Sequence, residues 1–227
     1  MTTPTAPPLT EENIGNHEGK VYMITGATGG IGSEVARILY AAHATVWITA
    51  RDVAKGQRTI DSIKAGAPNS RGRLDMLQVD FNDLTTIKPA ISHFLSKESK
   101  LNVLWNNAGM MIPPQGTITK QKYEAQLGVN AIAPFLFTKL LTDVIVNTAK
   151  TDKSARVVWV SSSAAGRFSP QGGVDMKGLG ESNGYSQWQN YGMSKAASIL
   201  QSREMARRYK QHGVISVVCT LTPTRRS

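Results

Sequence analysis

Along the chain, short runs of β-branched and aromatic residues alternate with longer stretches in which apolar residues recur every three or four positions. VYMIT (21–25), TVWITA (45–50), LDMLQV (74–79), LNVLWN (101–106), ARVVWVSS (155–162) and VISVVCTL (214–221) read as strands. GSEVARILYAAH, after the first strand, has Val35, Ile38, Leu39 and Ala42 on one face of a helix. VAKGQRTIDSIKA forms the next helix, and a third helical stretch ends near Ser99. A long helical region separates the fourth and fifth strands, and a last helix covers roughly 187–211. Strands alternating with helices imply right-handed crossovers, hence an α/β domain with a doubly wound, mostly parallel sheet and helices on both faces. In such sheets the ligand lies beyond the carboxyl ends of the strands, so the segments just after each strand are where chemistry is expected.

The length of 227 residues suits one domain, and 41% hydrophobic with 19% charged residues is ordinary for a globular chain. MTTPTAPPLTEENIG has neither a basic start nor an apolar stretch, so residues 1–18 are expected to be a flexible tail rather than a secretory signal, with the domain over 19–227. No apolar run approaches the ~20 residues needed to span a bilayer, so no membrane is expected. Cys219 is the single cysteine, which excludes an internal disulfide and fits a reducing, cytoplasmic setting. His17, His43, His93 and His212 are scattered without ligand company, so no metal site is expected. The net charge of +10 would attract anionic ligands. Its densest cluster, REMARRYK (203–210), is interleaved with apolar residues at helical spacing, the mark of a solvated helix face rather than a nucleic-acid surface.

Four strand ends carry candidate chemistry. TGATGGIG holds Gly26, Gly29, Gly30 and Gly32 with Ile31 between the last two. Glycines there let the backbone close on a pyrophosphate, and the following helix offers free N–H groups; a tight turn without ligand would use them too. The spacing is not G-x-G-x-x-G; it fits Thr-Gly-x-x-x-Gly-x-Gly and also Thr-Gly-x-x-Gly-x-x-Gly. In ITARD, an acidic residue at the strand end would read a ribose 2′-hydroxyl, whereas arginine would hold a 2′-phosphate. With the strand ending at Ala50, Arg51 favours NADP (NADPH); an end one residue later would bring in Asp52 and favour NAD. Asp80 in VDF, just before NDLTTI, could help start a helix. NNAG, with Asn107, Ala108 and Gly109, would be plain turn chemistry in isolation and is more informative after a glycine-rich loop.

TGATGGIG, NNAG, VSSS and YGMSK, in that order, resemble a short-chain dehydrogenase/reductase over about residues 20–220. NNAG resembles the compact branch, and TARDVAKG with NNAGMM its retinol-dehydrogenase-like part. The resemblance implies a Rossmann-type fold and hydride transfer between a nicotinamide cofactor and a carbonyl or alcohol carbon of a small, lipophilic substrate. It also implies roles. Tyr191 would be the proton donor or acceptor, and Lys195, one helical turn on, would favour the phenolate and bind the nicotinamide ribose. Ser162 would hydrogen-bond the substrate oxygen, and Asn130 would hold a water for proton relay. Gly26, Gly30, Ile31, Gly32, Arg51, Asp80, Asn107, Ala108 and Gly109 would hold the cofactor, with Tyr191 and Lys195. Tyr185 has Gln189, not lysine, four positions on and is set aside.

Two departures from the family pattern stand out. Relatives continue after the sixth strand with Pro-Gly, a lid and a seventh strand, whereas this sequence reads TPTRRS, with Thr224 after Pro223. That reads as a C-terminal truncation, with the last strand and lid missing and one sheet edge unpaired. The alternative to an enzyme is therefore a remnant that at most binds nucleotide. The other departure is Lys122, where many relatives carry glycine. Relatives of this kind act on retinoids, steroids and intermediates of microbial secondary metabolism, and many are homo-oligomers. The glycine- and serine-rich stretch 163–186 is expected to border the site, and Met110, Met111 and Ile112 suit either an apolar wall for a lipophilic substrate or plain packing.

Overall fold

The computed structural model describes residues 13–180 and 183–220. In chain order the elements are β1 (Val21–Ile24), α1 (Gly30–Ala41), β2 (Thr45–Ala50), α2 (Val53–Gly66), β3 (Arg73–Gln78), a 3₁₀ turn (Leu84–Thr86) and α3 (Ile87–Lys97). There follow β4 (Val103–Asn106), α4 (Ala125–Leu127), a π-turn (Gly128–Ile132), α5 (Ala133–Asp152) and β5 (Ala155–Ser161). The described part closes with α6 (Ala164–Phe168), α7 (Gln187–Tyr209), a 3₁₀ turn (Lys210–His212) and β6 (Val214–Thr220).

The strands form one parallel sheet in the order β3-β2-β1-β4-β5-β6. Alternation of side chains along each strand divides the core into two layers. Met23, Trp47, Leu104 and Val157 face α3 and α5, meeting Phe94, Phe137, Leu141 and Ile145. Tyr22, Ile24, Val46 and Ile48 face the other way, onto Leu39 of α1 and Ile60 and Ile63 of α2. The doubly wound Rossmann-type fold expected from the pattern is thus observed. Among the described residues α1 and α2 are the long helices of this second face, and Ile215 and Val217 of β6 remain exposed.

The end of the sheet opposite the strand carboxyl ends is tied by Asp152. Its carboxylate accepts from Lys20 Nζ (2.9 Å), Asn102 Nδ2 (2.8 Å) and Lys100 Nζ (3.3 Å), and Asn102 Oδ1 accepts from the Val21 N–H at 2.9 Å. One carboxylate so joins the starts of β1 and β4 to the end of α5. The hydrogen bond from Lys20, then that from Asn102, hold it well below the usual carboxylate range.

Two sequence expectations shift. Residues before β1 are tied in earlier than Gly19, because Ile14 packs on the second core layer and His17 bonds Tyr22 and the Ala42 carbonyl. The span Ala125–Asp152, continuous through the π-turn, is long and apolar enough by length and composition to cross a bilayer. Its charges interrupt the apolar runs in sequence, and 56% of its most apolar window is buried inside the domain, as in a core helix. Residues 1–12 of the expected tail, and TPTRRS with Pro223 and Thr224, lie outside the described residues.

Candidate active site

The sheet reverses its winding between β1 and β4, and a cleft of about 440 Å³ opens at their carboxyl ends, with Gly26, Arg51, Asp80, Asn107 and Gly109 in its walls. Thr25 builds its floor. The Thr25 hydroxyl oxygen accepts from the N–H groups of Asn107 (3.0 Å) and Ala108 (2.9 Å), stitching the glycine-rich loop to NNAG. Gly26 has φ +66°, and a Cβ there would stand 2.8 Å from Ala108 Cα, so only glycine fits this crossing. No side chain caps α1, whose first turn presents Gly30, an exposed Ile31 and Gly32. Its leading N–H groups therefore lack the side-chain partner that most helix starts supply.

β2 ends at Ala50, which leaves exposed Arg51 as the first residue beyond the strand. Asp52 is otherwise engaged: it caps α2, accepting from the Lys55 N–H at 2.9 Å, and that bond holds its carboxyl below the ordinary value. Asp80 does not start a helix. Its Oδ1 accepts from the Asn82 N–H at 2.9 Å, while Asp83 caps the following 3₁₀ turn through the Thr85 N–H at 3.1 Å.

On the other side of β4, Asn130 sits in the π-turn at the start of the long helix, buried and fully engaged. Its Oδ1 accepts from the Met110 N–H (2.8 Å), and its Nδ2 donates to the Met110 carbonyl (2.8 Å) and to Ser194 Oγ (3.0 Å). Ser194 in turn donates to the Tyr191 carbonyl at 2.8 Å. Lys195 is buried, donates to the Val160 carbonyl at 3.1 Å, and holds its ammonium 5.7 Å from the Tyr191 ring centroid. Burial pushes its pKa down. An ideal Cβ on Gly109 would lie 3.6 Å from Lys195 Nζ, so the ammonium borders the end of NNAG. Of the three serines at the end of β5, Ser161 is used structurally, donating to the Lys195 carbonyl at 2.8 Å. Ser162 accepts from the Ala164 N–H at 3.2 Å, which leaves its own proton available to donate, and Ser163 is exposed. Gly192 lets α7 press onto α6: a Cβ there would be 2.7 Å from the Ser169 nitrogen and 2.9 Å from the Ala164 carbonyl oxygen. Ser162, Tyr191, Lys195 and Asn130 therefore gather around the carboxyl ends of β4 and β5.

Residues 20–175 match the family model described as short chain dehydrogenase. The chain belongs to the short-chain dehydrogenase/reductase family. It is 45% identical over 219 residues to the short-chain dehydrogenase/reductase pkfC of Emericella nidulans, a match covering 96% of this chain and 70% of that protein. It is 46% identical over 218 residues to a short-chain dehydrogenase/reductase of Phomopsis amygdali, covering 94% of this chain but 65% of the relative. Among solved structures, an uncharacterized protein from Mycobacterium paratuberculosis superposes with TM-score 0.76 at 28% identity, over 95% of this chain and 73% of that one. A metagenomic short-chain oxidoreductase in complex with NADP superposes with TM-score 0.68 at 25% identity, over 92% and 85% of the two chains.

The cleft of this short-chain dehydrogenase/reductase fits a dinucleotide: it has an uncapped helix start, a loop closed by a glycine that admits no Cβ, and the cationic Arg51 in its wall, with the Lys195 ammonium next to Gly109. Sequence reasoning passed over several residues that shape it. Thr28 and Lys55 line the cleft beside Arg51, and Thr49 accepts from the Gly26 N–H at 3.1 Å. Gln126, completely buried, accepts from the Ile112 N–H and donates to the Gln187 carbonyl, each at 2.9 Å. Lys55 follows Arg51 by four positions, a signal present in the sequence, whereas the burial of Gln126 shows only in the packed chain.

Proposed function

We propose that this chain is an NADP-dependent oxidoreductase that interconverts a carbonyl group and an alcohol on a small lipophilic molecule, in the secondary metabolism of its organism and in the cytoplasm. The observation that carries the reading is the buried Lys195 ammonium, which faces the Tyr191 ring on one side and borders Gly109 at the mouth of the cleft on the other. When bound, the cofactor supplies or accepts the hydride at the substrate carbon. Tyr191 donates its hydroxyl proton to the carbonyl oxygen during reduction and receives it back from the alcohol during oxidation. Lys195 stabilises the phenolate left behind and binds the ribose next to the reactive ring. Ser162 donates its free hydroxyl proton to the same substrate oxygen. Asn130 has spent both amide protons on Met110 and Ser194, so any water it holds is held through oxygen. Gly26, Gly30, Ile31 and Gly32 receive the pyrophosphate, Asn107, Ala108 and Gly109 flank the nucleotide, Asp80 holds the adenine, and Arg51 binds the 2′-phosphate.

The choice of NADP over NAD is supported by the end of β2 at Ala50 and by the commitment of Asp52 to its helix cap. The test is a titration of the protein with NADPH and with NADH, followed by nicotinamide fluorescence, for the wild type and Arg51→Ala. Saturable binding that favours NADPH, with the preference reduced about tenfold or more by the substitution, is expected. A preference for NADH would overturn the assignment of Arg51. Consumption of NADPH with a panel of ketones and aldehydes tests the reaction itself, and cofactor binding without turnover on any of them would leave a nucleotide-binding remnant as the reading.

A further inference from the structure

Trp188 is 46% exposed, whereas Trp47 and Trp159 are almost wholly buried, at 3% and 2%. It stands three residues before Tyr191 and seven before Lys195, so the three side chains form one stripe along α7. At 1.5 Å per residue, Trp188 is about 10 Å from Lys195 along the axis with Tyr191 between them. Lys195 borders Gly109 on the cofactor side, so Trp188 lies beyond Tyr191, where the body of a molecule held at the Tyr191 hydroxyl would extend.

The indole is held rather than loose. Phe168, at the end of α6, packs against it with ring centroids 5.1 Å apart and planes 38° from parallel, and the Tyr191 ring meets it edge-on at 6.4 Å and 82°. Gly192 keeps α6 pressed against this part of α7. The neighbouring loop is fastened too. Gln187 donates to the Pro113 carbonyl, and Gln126 links the Ile112 N–H to the Gln187 carbonyl. That loop carries Met111, 60% exposed, a polarizable side chain suited to a ring edge. Trp188 is braced by Phe168 and remains nearly half exposed beside Tyr191, which leaves ring surface available for stacking.

We propose that Trp188, braced by Phe168, is the substrate platform of this site and selects planar aromatic carbonyl compounds by stacking. The proposal rests on the reading of Tyr191 given above and adds the substrate class. It concerns binding alone, and no bond changes at Trp188.

Two ketones of the same bicyclic skeleton separate the possibilities: 2-tetralone, which has an aromatic ring, and 2-decalone, which is saturated. Each is titrated calorimetrically into wild type, Trp188→Phe and Trp188→Ala, both with saturating NADP⁺ (with which a ketone cannot react) and without nucleotide. Wild type and Trp188→Phe should bind 2-tetralone about 3- to 10-fold tighter than 2-decalone, and Trp188→Ala should bring the ratio below about twofold. Unchanged NADPH affinity in the variants reports that the fold persists. Equal affinities in the wild type, a ratio that survives Trp188→Ala, or no binding of either ketone would each overturn the platform. Failure of the cofactor reading looks different: no NADP⁺ binding, with the aromatic preference intact in the nucleotide-free titration.

Discussion

Tyr191 and Lys195 share a helix face because residues four apart always do, but only the surroundings turn a spacing into chemistry. Lys195 is stripped of water, bound to the Val160 carbonyl, and turned toward both the phenol ring and Gly109. Tyr191→Phe removes one oxygen and none of those contacts. NADPH affinity is therefore expected to stay within about twofold while turnover falls by about 10²- to 10⁴-fold, measured by fluorescence titration and NADPH consumption. Lys122 is a residue of another kind. Its φ is +61°, in the left-handed region that penalises a side chain, and it donates to the Thr119 carbonyl at 2.9 Å to close a turn before α4. This accounts for glycine being acceptable there. Lys122→Gly trades about 1–2 kcal/mol of backbone strain against the greater entropy glycine loses on folding. A net gain of about 0.5–1 kcal/mol is expected, read by denaturant unfolding with an unchanged m-value.

At the scale of elements, the π-turn Gly128–Ile132 and the short α6 matter more than the long helices. The π-turn places Asn130 against both Met110 and Ser194, so it registers the loop after β4 with α7. Gly192 sets the distance between α6 and α7, and hence between Ser162 and Tyr191. At the opposite end of the sheet, Asp152 holds the starts of β1 and β4 to the end of α5. Its pKa lies below that of the unfolded chain, about 3.9, so its contribution is complete above that value and disappears as pH falls through the folded value. Asp152→Asn should therefore lower stability by about 1–2 kcal/mol at pH 7, the exposed lysine partners limiting the loss. Thermal melts from pH 7 to pH 2.5 should show the gap between wild type and variant narrowing below about pH 4; a constant gap would show that the carboxylate charge is not what holds these elements.

At the scale of the whole molecule, the parallel sheet brings together the segments after β1 to β5 that carry the candidate site, from positions far apart in sequence, and α1, α2, α3 and α5 bury most of it. The exception is β6. Among the described residues it pairs with β5 alone, and Ile215 and Val217 are exposed. An edge strand carrying apolar side chains is a template for association. Val217→Lys should reduce light scattering of concentrated protein while shifting the melting temperature by less than about 2 °C, as for most surface substitutions. Much of this architecture was legible in the sequence, because β-branched runs and helical periodicity report directly on which faces are buried. All six strands and the site-bearing loops could be read that way. The use made of individual polar groups could not. Asp52 and Asp80 were each compatible with two roles, and the choice depended on which backbone N–H stood opposite: Asp52 took a helix cap, while Asp80 left the capping to Asp83. Gln126 and Trp188 were passed over for the same reason, since burial and exposure belong to the packed chain. What the sequence by itself determined was the fold and the family, which follow from local pattern and short motifs. The tertiary structure alone decided that Ser161 spends its proton on the Lys195 carbonyl, how Lys195 loses its water, and that an aromatic surface stands open beside Tyr191. Those depend on contacts between residues tens of positions apart, whose distances no local pattern encodes.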